Sequence, residues 1–379
     1  MEKRKFCGTG PELSLLGFGC MRLPKINPDK PDIQQVQAQE MIDYAYAHGV
    51  NYYDTAWPYH QGLSETFIGK ALKKYPRDSF HLVSKMPGWE AKKPEDASYI
   101  FERQLEKCQV EYFDFYLAHA MNADRLVQYK ESGVFDVLLQ KKKEGKIRHL
   151  GFSFHDKPEV LKKIVDLGFW EFGQIQLNYL DWTMQRAKEQ YDILQAAGLP
   201  VVVMEPVRGG ALHTLCPQAI ELLKKAEPEA SPASWAIRFA ASLPGVMTVL
   251  SGMTTLEQVQ DNVRTMENFK PLTDDEKKLL EQVVEIYQQS KTVPCTGCRY
   301  CMDCPAGVDI PLMFSIYNQY QLNEDKQAFV KAYTEAGESK QAHHCVACRA
   351  CVPKCPQSID IPERMADVKK LAERLMPKE

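Results

Sequence analysis

Eight of the twelve cysteines fall into two runs, Cys295-x-x-Cys298-x-x-Cys301-x-x-Cys304-Pro305 and Cys345-x-x-Cys348-x-x-Cys351-x-x-x-Cys355-Pro356. Three thiolates at this spacing can ligate three corners of one iron–sulfur cube, while a fourth cysteine before a proline reaches across to a second cube. The pattern assigns Cys295, Cys298, Cys301 and Cys355 to one [4Fe-4S] cluster and Cys345, Cys348, Cys351 and Cys304 to another. The first run places two residues, not three, before its fourth cysteine. Structural zinc draws on cysteine pairs, which leaves the triplets unexplained. A disulfide framework belongs to oxidising compartments, and the opening MEKRKFCGTG has no apolar stretch of the kind that directs export. A reducing, cytoplasmic setting is therefore expected. Cys7, Cys20, Cys108 and Cys216 lie far apart and read as small buried residues.

A second set of reactive side chains lies upstream. Asp54, Lys85 and His119 each close a short apolar run, and Tyr59 follows Asp54 in the same loop. A phenol is a poor acid near neutrality, so a proton-donating tyrosine needs a nearby cation that favours its anion, which Lys85 can provide. Asp54 would hold and neutralise Lys85, and His119 would orient a substrate oxygen. Taken singly, each residue has a plainer reading as packing, cap, solvated charge or core histidine. Their joint placement at successive strand ends favours a site.

The elements that must position these residues follow from the apolar pattern. Short apolar runs alternate with longer amphipathic stretches from Leu13 to about Val263, the signature of βαβ units in a parallel sheet. The runs predict strands at Leu15–Cys20, Val50–Asp54, Phe80–Lys85, Phe113–His119, His149–Ser153, Phe172–Leu177, Val201–Glu205 and Met247–Ser251. Helices are predicted at Gln35–His48, Ser64–Lys74, Pro94–Gln109, Pro158–Leu167 and Thr183–Ala197. Gly49, Gly168 and Gly198 each stand where a left-handed helix terminus belongs. Eight such units predict a closed (β/α)₈ TIM barrel. An open doubly wound sheet is disfavoured because Met21-Arg22-Leu23-Pro24, not a glycine-rich turn, follows the first strand.

One more helix, Thr273–Gln289, precedes a linker at Ser290–Pro294. The domains are accordingly placed at 1–289, an α/β barrel, and 290–379, an all-α ferredoxin-like module with two clusters and helices at Leu312–Leu322 and Lys326–Ala336. Lys plus Arg total 47 against 50 Asp plus Glu, a net charge of −3 without long single-sign blocks, which argues against nucleic acid as a partner. No apolar run is long enough to span a membrane.

The motifs Asn51-Tyr-Tyr-Asp54-Thr-Ala-Trp-Pro-Tyr59, Ser84-Lys85, Leu117-Ala-His119, Leu150-Gly-Phe-Ser153, Gln174-Ile-Gln-Leu-Asn178 and Ser251-Gly-Met resemble the aldo-keto reductase family over roughly residues 1–285. With the cysteines, the whole chain is similar to the ferredoxin-fused branch of that family, met mostly in anaerobic prokaryotes. The resemblance implies a nicotinamide-dependent carbonyl/alcohol oxidoreductase with Asp54, Tyr59, Lys85 and His119 as catalytic tetrad and Tyr59 as proton donor. It also implies that Ser153 and Gln174 hold the nicotinamide carboxamide. The loop Pro206–Ala211, with Ser251, Gly252 and Met253, would cradle phosphates, and Asn262 would meet adenine. Met204 stands where the family commonly stacks an aromatic ring, and Gly252 and Gln258 stand where it commonly carries cations for the NADP 2′-phosphate. Arg208 is then the nearest substitute cation, read as a pyrophosphate or substrate anchor. Trp57, Trp89 and Trp182 are candidates for an apolar pocket wall. No flavin signature is evident. The expected partners are a small carbonyl or alcohol and an external ferredoxin or flavoprotein; the rival reading is an electron-transfer or docking protein whose barrel binds a ligand without turnover.

Overall fold

The computed structural model describes residues 1–27 and 30–377, which form two compact units. The first comprises Met1–Pro206 and Ala233–Thr273. Its strands are β1 (Lys3–Lys5), β2 (Glu12–Ser14), β3 (Leu16–Gly19), β4 (Tyr52–Asp54), β5 (His81–Met86), β6 (Phe113–Met121), β7 (Ile147–Phe154), β8 (Phe172–Gln176), β9 (Val201–Met204) and β10 (Val246–Gly252). β3 to β10 close in parallel into a barrel in chain order, with β10 returning to β3. All eight predicted strands are present, with no end moved by more than two residues, because each was marked by an apolar run buried on both faces.

β1 and β2 pair antiparallel outside the barrel, and the turn between them carries Phe6. Phe6 packs edge-on against Phe115 of β6 and Phe172 of β8, with ring centroids at 5.2 and 6.2 Å. Tyr52, Val83, Leu117, Val202 and Leu250 complete this interior layer from five further strand positions. The interior is thus filled with side chains, as a closed eight-stranded sheet requires.

Two details differ from the sequence pattern. β6 runs past His119 to Met121, with a register irregularity against β7 between Ala118 and Met121 and a left-handed Ala120 at φ 52°. The predicted helix Thr183–Ala197 is broken into Asp181–Met184 and Ala187–Ala196 by Arg186 at φ 53°. The three helix-terminal glycines, Gly49, Gly168 and Gly198, are all left-handed.

The second unit comprises Val207–Pro232 and Asp274–Glu379. Its described residues form helices at Pro217–Ala226, Asp274–Gln289, Ile310–Asn323, Lys326–Glu335 and Ile361–Leu375, and no strand. Met313, Phe314, Phe329, Tyr333, Met365 and Val368 lie at the centre of its core. Among the described residues no helix is long and apolar enough to cross a membrane.

Candidate active site and cluster sites

Asp54 is the last residue of β4 and Lys85 the penultimate residue of β5, and both are buried. The Lys85 ammonium donates to Asp54 Oδ1 at 2.5 Å, to the Thr55 carbonyl at 2.8 Å and to the Tyr59 phenol oxygen at 3.3 Å. These three contacts match the three donors of an ammonium. Tyr59 opens a short turn after β4 and meets His119 edge-on, with ring centroids 6.1 Å apart. Trp89 also packs against His119, with ring centroids 5.1 Å apart, and the Arg125 guanidinium covers Trp89 at 4.3 Å. Arg125 also donates to the carbonyl of Ala120, the left-handed residue after His119. The four residues singled out from sequence are therefore brought together at one end of the barrel.

Beneath them lies a network that sequence reasoning missed. The Gln104 amide donates to Glu65 Oε1 at 2.6 Å, to Ser84 Oγ at 3.0 Å and to the Lys85 carbonyl at 3.0 Å. Glu65 is fully buried, with Lys107 at 3.4 Å as its counter-ion. Glu65 stands between Ser64 and Thr66, so nothing in its local sequence marks it as buried.

Burial sets the protonation states here. It raises the Asp54 carboxyl, against the opposing pull of Lys85. It lifts the Tyr59 phenol well above its ordinary value, with Asp54 and Glu205 pushing the same way and Arg22 opposing. The sequence-based expectation that Lys85 draws Tyr59 toward its anion is thus not met, because desolvation dominates and the Asp54 carboxylate adds to it. Tyr59 keeps its proton. Burial, with Lys85, Arg125 and His155, lowers the His119 imidazole well below the usual range, so it is neutral.

Ser153 of β7 and Gln174 of β8 are register partners. The Ser153 hydroxyl oxygen accepts from the Ala120 amide at 2.7 Å. Gln174 is 2% exposed, its amide nitrogen faces the Met204 sulfur at 3.8 Å, and its Oε1 has no partner among the described residues. A buried carbonyl without a donor is costly, and a ligand carboxamide N–H is a donor of the kind it needs. Ser251 accepts from Asn262 Nδ2 at 2.9 Å, and Met253 is buried beside them in sequence. Gln258 Oε1 accepts the Thr254 amide at 2.8 Å at the start of helix Leu256–Glu267, so its side chain serves as a cap. These residues fit a nicotinamide nucleotide at the carboxamide end. Pro206 ends the first segment of the first unit; Arg208 is buried in the second unit, where Gly209, at φ 64°, lies against the Thr296 backbone.

The cysteine runs are brought together crosswise. Cys355 joins Cys295, Cys298 and Cys301 around one cavity. Burial, reinforced by Cys298, Cys295 and Cys355, pushes the Cys301 thiol up to about 12. Cys304 neighbours Cys351, Cys345 and Cys348, whose proximity also raises Cys351, after burial. The two runs repeat one local design. Arg299 and Arg349, left-handed at φ 66° and 64°, pair with Asp309 at 3.1 Å and Asp360 at 2.8 Å. Each aspartate caps the helix that follows its run, with a proline in the first turn. The Gly297 amide points at the Cys295 sulfur at 3.4 Å, the kind of contact that tunes a cluster thiolate. Four convergent thiolates per group suit a cubane. Of the four remaining cysteines, Cys20 and Cys108 are buried as expected, whereas Cys7 is exposed and Cys216 half-buried.

Comparison with known proteins bears on both sites. The model of the aldo/keto reductase family matches residues 15–285, and that of the 4Fe-4S dicluster domain matches residues 294–359. A probable aldo-keto reductase of Glycine max is 29% identical over 210 residues, covering 53% of this chain and 58% of that protein. The NADH-specific methylglyoxal reductase of Escherichia coli (strain K12) is 24% identical over 332 residues, covering 76% of this chain and 100% of that protein. An aldo-keto reductase from Bacillus halodurans in its holo form superposes with a TM-score of 0.63 at 27% identity, over 75% of this chain and 96% of that one.

Proposed function

The chain belongs to the aldo/keto reductase family and carries a 4Fe-4S dicluster domain, and on that premise we propose that its barrel interconverts a small carbonyl compound and its alcohol, in exchange of electrons with two [4Fe-4S] clusters. The observation that carries this reading is the hydrogen-bonded set of Asp54, Lys85 and Tyr59 beside neutral His119. Ser153 and Gln174 would hold the carboxamide of a nicotinamide, whose reduced ring would supply the electron pair as hydride when bound. Tyr59 holds a proton at its phenol oxygen for the nascent alkoxide. Lys85 stabilises the phenolate left behind, and Asp54 fixes Lys85 in place. His119, kept neutral by burial, offers a hydrogen bond that orients the carbonyl oxygen without adding charge. Trp89 and the buried strand ends keep bulk water from competing for that oxygen.

A nicotinamide gives electrons in pairs and a cluster passes them singly. An external flavoprotein, whose flavin takes electrons in pairs and releases them singly, would reconcile the two, and an external ferredoxin would exchange single electrons with the clusters. The test is anaerobic purification followed by nicotinamide oxidation over a panel of carbonyl substrates, with cluster absorption followed in parallel. Turnover accompanied by cluster bleaching or reoxidation supports the coupled reading. Turnover with spectroscopically silent clusters leaves the reductase and removes the relay; no turnover with any nicotinamide nucleotide removes the reductase.

A further inference from the structure

Glu205 follows β9 with φ 53°, a left-handed backbone for a residue bearing a side chain. Its carbonyl accepts from Asn178 Nδ2 at 3.0 Å. Asn178 is itself fixed by Asp181 Oδ2 at 2.7 Å, which also receives Gln176 Nε2 at 2.7 Å. Strain of this kind persists only where the surroundings over-determine it, and it gathers at ligand clamps and active sites. Here it aims a carboxylate at Arg22, whose Nη2 donates to Glu205 Oε1 at 3.2 Å.

Arg22 comes from the turn after β3. Its carbonyl accepts from Thr254 Oγ1 at 2.9 Å. Its aliphatic stem lies on Gly252, where an added Cβ would fall 3.0 Å from Cδ and 3.1 Å from Cγ. Gly252 and Gly19 are register partners across the β10–β3 seam. Two bare glycines are thus paired at the strand ends, with the Arg22 stem over one of them. The missing Cβ of Gly252 lets the Arg22 stem lie against the backbone and so holds at the strand ends a planar fork that matches phosphate geometry. The two side chains are 26% and 16% exposed, so an anion arriving from solvent can compete for the guanidinium.

We propose that Arg22 binds a phosphate of the incoming nucleotide and that Glu205 is the partner it gives up in doing so. This rests on the nicotinamide reading above. It makes the ion pair a built-in competitor: affinity is reduced by the fraction of Arg22 held by Glu205. It also supplies, from the turn after β3, a positive charge for the pyrophosphate, apart from the 2′-phosphate cations that Gly252 and Gln258 lack.

Calorimetric titration of NADH and of ADP-ribose, which shares the pyrophosphate but not the nicotinamide, tests this on the full-length, cluster-loaded protein. Arg22→Gln should weaken both ligands by about tenfold or more, the loss of one charge-assisted contact. Glu205→Gln should tighten both by roughly threefold or more. Arg22→Lys should recover part of the loss; no recovery in a variant that melts like the wild type assigns the loss to packing and overturns the proposal. Unchanged affinities in Arg22→Gln, or weaker binding in Glu205→Gln, overturn it while leaving the nicotinamide reading intact. Wild-type protein that binds neither ligand overturns both.

Discussion

The Lys85 ammonium stands 3.3 Å from the Tyr59 phenol oxygen while Asp54 holds it at 2.5 Å, so the tyrosine is the weakest of its three partners. A partner held loosely in the resting site gains most when charge develops on it. Tyr59→Phe should lower turnover by about 10²-fold or more and leave NADH affinity nearly unchanged. Steady-state kinetics beside a binding isotherm check this; a wild-type rate in the variant removes the proton-donor role.

Burial, with Arg125 and Lys85 adding repulsion, lowers the His155 imidazole from its usual 6.5 to about 4. Between those values the unfolded chain binds the proton and the folded chain does not, so stability falls as pH falls through that window. His119 acts in the same direction. Melting temperature should drop from pH 6.5 toward 4, and His155→Gln should flatten the drop. Parallel curves for variant and wild type would show that other groups set the acid limb.

The crosswise cysteine groups lead to an unequal pair of mutants. Anaerobically isolated protein should carry about eight iron and eight acid-labile sulfide. Cys304→Ser should disturb the cluster held by Cys345, Cys348 and Cys351, and Cys355→Ser the one held by Cys295, Cys298 and Cys301. Electron paramagnetic resonance of each reduced variant distinguishes them, and a colourless protein with stoichiometric zinc refutes the assignment.

Gly252 and Gln258 offer no cation for a 2′-phosphate, and Gln258 is occupied in capping the Thr254 amide. The wild type should show little preference for NADPH over NADH, or prefer NADH. Gln258→Arg should strengthen NADPH binding by about tenfold at some cost to the helix start. Tight, NADPH-selective binding by the native chain would contradict this.

Phe6 enters the barrel interior from outside the eight-unit pattern. Phe6→Ala should destabilise the barrel by about 3–5 kcal/mol. Denaturant unfolding followed by tryptophan fluorescence reads this directly, and a loss below about 1 kcal/mol would mean the hairpin only rests on the surface.

The barrel was legible because a strand buried on both faces has to be an unbroken apolar run, as in Val201–Met204. The β1–β2 hairpin was not, since Lys3-Arg4-Lys5 has the composition of a solvated stretch and only Phe6 marks its inward turn. Asp54, Tyr59, Lys85 and His119 could be picked out because residue type and strand-end position both appear in one dimension. Glu65 with Gln104, and Arg22 with Glu205, could not: each is a contact between residues far apart in sequence, and neither partner is unusual alone. The same holds for Tyr59, whose protonation depends on how completely the fold buries the phenol beside Asp54.

Each cysteine group draws its fourth member from the other run, and this constrains how the protein is made. A nascent chain that has emerged only through Cys304 holds three ligands for one group and a single ligand for the other. The first site is completed only by Cys355, close to the last helix. Metal delivery before the second run has emerged would therefore meet only partial sites, and the two groups should mature together. A chain cut between the runs should lose both at once, so quality control need inspect only one.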